Sequence, residues 1–257
     1  MYIAVFIFSL MIGSFLNVCI YRMPKNQSII FPASHCPGCN KGIFWYDNIP
    51  VISYLALAGK CRFCKTKIHF RYPLVEILTG ALLTALFLNF GITPKFFVYS
   101  IMTCGLIVAT FIDLEITEIP DEISLGGLAL GILLAFVFPS VPGEAARLGA
   151  AAAALAGAIA GGGSIYLLGV VGKIAFKKEA MGGGDVKLMA MIGSFLGWKL
   201  VILAFFIAPF LGVVPGMILK IKQGSEIIPY GPFLSAAALV SVFFGNRILG
   251  VLFGGLF

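Results

Sequence analysis

Charge is what this sequence has least of. Only 11% of its 257 residues are Asp, Glu, Lys or Arg, 60% are hydrophobic, and the mean hydropathy is +1.04. A soluble domain carries about a quarter charged residues, so a water-soluble enzyme or binding module is excluded. The first apolar run lacks a basic segment ahead of it, and Gly13-Ser14-Phe15-Leu16-Asn17 is not a small-residue cleavage site. A retained first helix is therefore expected in place of a cleaved signal peptide. No glycine-rich loop follows a soluble strand, so the residues alone give no nucleotide-type cofactor cradle. No internal repeat is evident.

What is present is a series of apolar runs of the length that a bilayer core requires, about 17–25 residues. They cover Met1–Ile20, Leu74–Phe90, Phe96–Ile112, Ile123–Phe138, Ala145–Val171, Leu200–Leu219 and Phe233–Phe244, with a shorter one at Val186–Trp198. These predict an all-α polytopic bundle of about eight transmembrane helices. The predicted organisation is a first transmembrane helix at 1–21, a cytoplasmic loop domain at 22–73 and a transmembrane domain at 74–257. The Ala/Gly-rich stretch Ala150–Ala160 with Gly161-Gly162-Gly163 is read as a closely packed helix.

With alternating crossings, all basic residues except Lys95, Arg147, Lys199 and Arg247 fall on one side of the membrane. Basic loops resist translocation. The expected orientation therefore has the amino terminus outside and the 22–73 loop in the cytoplasm. Topology and attraction to anionic lipid account for the net charge of +7, so no nucleic-acid partner is called for.

The loop is too short for a self-sufficient core and is expected to need a staple. Cys36-Pro37-Gly38-Cys39 and Cys61-Arg62-Phe63-Cys64 supply one, since two C-x2-C knuckles let four thiolates meet around Zn²⁺. Stable disulfides are disfavoured in the cytoplasm. A four-thiolate site is coordinatively closed, so its expected role is structural. His35 and His69 read as ordinary loop residues, and Cys19 and Cys104 as small residues inside apolar helices.

Asp47 and Glu76 belong to the loop and its exit, Glu144 to an outer loop, Glu179 and Glu226 to inner loops. The remaining acids, Asp113, Glu115, Glu118, Asp121, Glu122 and Asp185, all fall at the same predicted cytoplasmic boundary. Glu115, Glu118 and Glu122 read as solvated. Asp121, after Pro120, reads either as an N-cap or as a supporting residue, with Lys187 beside the other acid. Asp113 directly follows an apolar run, where a carboxylate opposes the helix dipole. Asp185 follows Gly182-Gly183-Gly184, which capping does not explain; the glycines suggest positive φ values or a close approach. Two carboxyl groups in a partly dry site share a proton, the arrangement by which aspartic proteases activate water. On the residues alone this competes with two other classes, an ion transporter with acids at broken helices and a non-catalytic membrane scaffold.

The ordered motifs of the whole chain resemble the type IV prepilin peptidases. These are Gly13-Ser14-Phe15-Leu16-Asn17-Val18, Tyr21-Arg22-Met23-Pro24, the two knuckles around Asp47-Asn48-Ile49-Pro50-Val51-Ile52-Ser53-Tyr54, and Arg71-Tyr72-Pro73-Leu74-Val75-Glu76. After them come Asp113-Leu114, Ile119-Pro120-Asp121, Gly182-Gly183-Gly184-Asp185-Val186-Lys187-Leu188 and Ile228-Pro229-Tyr230-Gly231-Pro232-Phe233. The resemblance implies a multi-pass protein of the bacterial inner membrane in which Asp113 and Asp185 are the catalytic pair. It would cut the leader peptides of prepilins or pseudopilins of type IV pilus or type II secretion systems on the cytoplasmic side. It further implies N-methylation of the new terminus from S-adenosylmethionine, with Asp47, Arg71 and Glu76 near the cysteine loop as candidate contributors. A peptidase without methyl transfer is the alternative within the family.

Overall fold

The computed structural model describes residues 1–176, 181–223 and 229–254. Apart from short turns and two isolated antiparallel bridges, regular structure among these residues is helical. The helices are α1 (Tyr2–Arg22), α2 (Ile52–Ala56), α3 (Arg71–Phe90), α4 (Pro94–Ile116), α5 (Asp121–Val137), α6 (Arg147–Phe176), α7 (Gly183–Gln223) and α8 (Gly231–Leu252). Lys177, Lys178, Glu179, Glu226 and Ile228 lie outside the described residues.

Six of the helices are long and apolar enough to cross a membrane. α5, at 17 residues, is at the lower limit for a bilayer core. The predicted Val186–Trp198 and Leu200–Leu219 spans fall within α7, which loses helical geometry at Gly197 (φ 75°, ψ 171°). The expected count of about eight is reached only if α5 and both segments of α7, 183–196 and 198–223, each cross.

Local chemistry sets the ends. Pro94 opens α4 after extended Thr93, and Thr117 closes it in the left-handed region at φ 55°. α5 starts at Asp121 with Pro120 as its N-cap, so Asp121 is a first-turn residue and not the cap expected from sequence. It still sits where the helix dipole favours an anion.

The chain forms two compact units, Met1–Gly91 and Ile92–Phe257. In the first, α1 packs on α3. Gly13 makes the crossing possible: a Cβ there would stand 2.7 Å from the Cα of Glu76. Asn17, 2% exposed, donates from Nδ2 to the carbonyls of Gly13 (3.3 Å) and Tyr72 (3.0 Å), pinning the start of α3 to α1. A polar side chain in an apolar helix is retained where it bridges to a neighbour in this way.

In the second unit α7 is the hub, packing against α6, α8, α5 and α4. The α6–α7 contact confirms the close packing expected of the Ala/Gly-rich run. A Cβ on Gly157 would collide with the carbonyl oxygen of Gly193, and one on Gly193 with the carbonyl oxygen of Gly157. Backbones this close exchange dispersion contacts that side chains would block.

Gly157→Ala or Gly193→Ala should force the helices apart and lower stability by about 1–3 kcal/mol. Gly163→Ala, whose Cβ meets nothing within 4 Å, should be neutral or slightly stabilising. Thermal unfolding in detergent compares the three, and equal midpoints for the two classes would refute the close-contact account.

Candidate active site

In the first unit each cysteine knuckle is a tight reversal. Cys36 N–H donates to Lys41 O (2.9 Å) and Cys61 N–H to Thr66 O (2.9 Å), with Asn40 and Lys65 in the left-handed region closing the turns. All four cysteines are free, and their sulfurs lie within 4.8 Å of one another. Cys36 Sγ and Cys64 Sγ are 3.7 Å apart, close to the ~3.8 Å edge of a tetrahedron with metal–sulfur bonds of about 2.3 Å. The Thr66 hydroxyl and N–H push the Cys64 thiol down to about 6. The amides of Cys64 and Phe63 hold Cys61 below the ordinary thiol value. Cys39 goes the other way: the Lys41 amide lowers it, yet desolvation and the surrounding sulfurs push it up to about 11. Four thiols this close resist ionising together, and a cation at their centre removes that resistance.

The other loop residues singled out by sequence have partners. Asp47 accepts a two-pronged hydrogen bond from Arg62 (2.7 and 2.6 Å), which holds its carboxyl below the usual range and ties a short turn to the second knuckle. Glu76, 8% exposed, accepts Val51 N–H at 2.8 Å and a hydrogen bond from Ser14. Val51 has φ 61° and ψ −49°, with Ile52 N–H returning to Pro50 O at 2.6 Å. This γ-turn is costly for a β-branched residue, by about 1–3 kcal/mol. The Arg71 guanidinium lies over the Tyr72 ring, and its backbone N–H donates to His69 Nδ1. His35 stands 3.2 Å from Ala33 O, so both histidines face the loop backbone, as expected of ordinary loop residues.

In the second unit the acids separate by environment. Asp113, in the last turn of α4, is 4% exposed, whereas Glu115, Glu118, Asp121 and Glu122 are exposed. Asp121 pairs with Lys187 at 2.6 Å, which joins the first turns of α5 and α7. Asp185 is half-buried in the first turn of α7, close enough to Asp113 for the two charges to interact. Burial, with the Asp185 charge second, pushes the Tyr230 phenol up to about 12.

Gly182 and Gly183 are exposed and Gly184 half-buried; none of the three has a positive φ. The left-handed backbone expected there is not used. Close approach is: a Cβ on Gly184 would meet Ile119 at 3.3 Å, and one on Gly182 would meet the Asp185 carboxylate at 3.4 Å.

Sequence reasoning missed one part of this site. Gly231, the first residue of α8, donates its N–H to Asp113 Oδ2 at 2.9 Å across 118 residues of chain. A hydrogen bond to a charged acceptor contributes about 1.5–3 kcal/mol, against about 0.3–1 kcal/mol for a charge at a helix end. The amide therefore more than offsets the unfavourable dipole of α4. The only sequence signal was the segment containing Pro229-Tyr230-Gly231-Pro232, noted as part of a resemblance and not as a source of a donor.

Comparison with known proteins gives two family matches. Residues 7–90 match the bacterial peptidase A24 N-terminal domain, and residues 100–217 match the type IV leader peptidase family. The chain is 34% identical to a prepilin leader peptidase/N-methyltransferase of Aeromonas hydrophila, over 95% of this chain and 91% of that protein. A protein of the same name from Pseudomonas aeruginosa is 33% identical over 93% of this chain and 89% of its own length. One from Myxococcus xanthus is 38% identical over 85% of this chain, which spans 63% of that longer protein. The chain belongs to the type IV leader peptidase family. No solved structure matches it significantly. The leader peptidase match takes in Asp113, Asp121 and Gly182 to Asp185, and the A24 N-terminal match takes in the cysteine knuckles, Asp47, Arg71 and Glu76. Gly231 lies beyond both.

In this leader peptidase Glu76→Gln keeps the side chain's shape but weakens the hydrogen bond to Val51. The turn should lose about 1–2 kcal/mol of protection, read as faster hydrogen exchange at the Val51 amide and easier tryptic cleavage of the cysteine loop. Unchanged exchange would mean that the γ-turn needs no carboxylate.

Proposed function

We propose that this chain removes the leader peptides of prepilins and pseudopilins, using Asp113 and Asp185 as an aspartic-protease pair, and that it N-methylates the new amino terminus. The observation that carries the peptidase reading is the convergence of buried Asp113, from the end of α4, on Asp185, from the start of α7. Two carboxyl groups in charge contact hold one proton between them. The ionised member takes a proton from water as the water oxygen bonds to the scissile carbonyl carbon, while the protonated member gives its proton to the carbonyl oxygen. On collapse the C–N bond breaks and the departing amine takes a proton from the pair. The exposed Gly182-Gly183 turn leaves room beside Asp185 for an extended substrate backbone.

Asp121 has the weaker claim to the pair, because its carboxylate is exposed and occupied by Lys187. Its role in this reading is support, holding the starts of α5 and α7 together. The transporter alternative calls for acids at mid-membrane, whereas Asp113 and Asp185 stand at the ends of candidate membrane spans.

The four thiolates suit Zn²⁺ in a closed site that stabilises the loop and leaves no coordination position for a substrate. S-adenosylmethionine would supply an electrophilic methyl group to the freed amine. Asp47 and Glu76 would contact it only by giving up Arg62 and Val51, so we assign both to shaping the cysteine domain of residues 22–73. The distribution of basic residues supports placing that loop and the two aspartates on the cytoplasmic side of the inner membrane.

Leader removal from a prepilin by purified protein tests the pair. Asp113→Asn and Asp185→Asn should each lower the rate by at least about 10³-fold, while Asp121→Asn should retain most activity. Normal cleavage by the Asp185 variant would end the two-aspartate reading, and loss confined to Asp121→Asn and Asp185→Asn would move the first member. Metal analysis of the purified chain should find about one zinc, lost in Cys36→Ser/Cys64→Ser. Finding none in the parent protein would overturn the zinc assignment.

A further inference from the structure

We propose that the backbone amide of Gly231 assigns the roles within the pair: Asp113 is the ionised general base, and Asp185 carries the proton that goes to the substrate carbonyl. This rests on the two-aspartate reading above and deepens it.

The start of α8 is built to leave one donor free. Pro232 has no N–H, and the amides of Phe233 and Leu234 both turn back to Tyr230 O, at 3.0 and 3.2 Å. Of the first-turn donors only Gly231 N–H is left to point outward, and it meets Asp113 Oδ2 at 2.9 Å. Both partners are buried, so water does not compete for the bond, and a donor fixed on a carboxylate favours its charged form.

Asp185 has a weaker counterpart. The Gly182 N–H also faces its carboxylate, but it belongs to an exposed turn where water competes. The dipoles of α7 and α8 favour charge on Asp185 and Asp113 respectively, and the end of α4 disfavours it on Asp113, an effect smaller than that of the buried amide. Among the described residues, Tyr230 feels the Asp185 charge and is neutral at working pH, and the exposed Asp121–Lys187 pair at the starts of α5 and α7 carries no net charge.

Gly231 also sets the distance. A Cβ there would stand 2.8 Å from Asp113 Oδ2 and 3.3 Å from both Asp113 Cγ and Ile119 Cδ1. Any side chain would push the carboxylate off the amide. Gly231 is thus a positioning residue, acting through Asp113.

The parent protein in detergent, treated separately with an active-site-directed epoxide and a diazo ester, tests the assignment. A carboxylate opens an epoxide by attack on ring carbon, the C–O bond breaking to an alkoxide that takes a proton from water. A diazo compound takes the proton of a carboxylic acid and loses N₂ as the carboxylate bonds to its carbon. Peptide mass mapping should find the epoxide ester on Asp113 and the diazo ester on Asp185. The reverse map would overturn the assignment while leaving the pair intact, whereas the Asp→Asn variants above decide the pair itself.

Gly231→Ala gives an independent reading. Losing a contact that favours the anion raises the pH at which the pair acquires its charge. The acidic limb of kcat/KM against pH should therefore move up by about one unit, with KM little changed. Gly250→Ala, on α8 with nothing near its Cβ, should keep the parent profile. A Gly231→Ala protein that loses melting temperature but keeps the acidic limb would reduce Gly231 to packing and refute the proposal. If that variant does not fold, the ester map on the parent protein still decides.

Discussion

A carboxyl group buried at the end of a membrane helix needs a polar partner, and for Asp113 that partner is the amide of Gly231. Much of the second unit follows from keeping these two together. α8 must begin beside the end of α4, and Pro232 must follow Gly231 so that the first-turn donor is not shared. Ile119, in the connection from α4 to α5, touches the positions where Cβ atoms on Gly184 and Gly231 would stand. One isoleucine thus spaces the approach of α7 and of α8 to Asp113.

The large apolar contact between α6 and α7 serves the same end from a distance. Asp185 stands at the start of α7, and its position is only as firm as the helix behind it. Glycine at 157 and 193 brings two backbones together, and past the break at Gly197 the chain is still against α6, with Val201 standing 2.8 Å from where a Cβ on Gly161 would lie. A site built from helix ends depends on helix bodies that do not slide, and interlocked small residues supply that stiffness where no hydrophobic effect acts between helices in lipid.

The first unit solves a different problem. Its loop has too little apolar surface to fold by burial, and it relies on discrete polar fastenings: the four sulfurs, the Asp47–Arg62 fork, and the Glu76 carboxylate on a strained turn. Arg22, 6% exposed, adds another by donating to the carbonyls of Ser28 and Pro32. Each fastening joins the loop to itself or to α1 and α3, so the loop's shape is set by bonds of fixed direction instead of by a core.

Side chains with unusual cost were legible in the sequence, because cost leaves a mark in composition. The cysteine knuckles, Asp113 in an apolar run and Asp185 behind glycines all stand out against 60% hydrophobic residues, and the structure groups the four sulfurs and brings Gly184, beside Asp185, and Gly231, which bonds Asp113, against the same Ile119. What did not show was where a shared interaction would be spent. Asp121 and Asp113 fall at the same predicted boundary, and only the fold shows that Lys187 reaches one while burial closes over the other. Less legible still was the amide of Gly231, since every residue but proline carries the same N–H. Its value comes from Pro232 beside it and from a helix end arriving at Asp113 after 118 residues. A motif read for its side chains therefore understates glycine and proline, whose contribution here is a bare backbone donor and the removal of its neighbour.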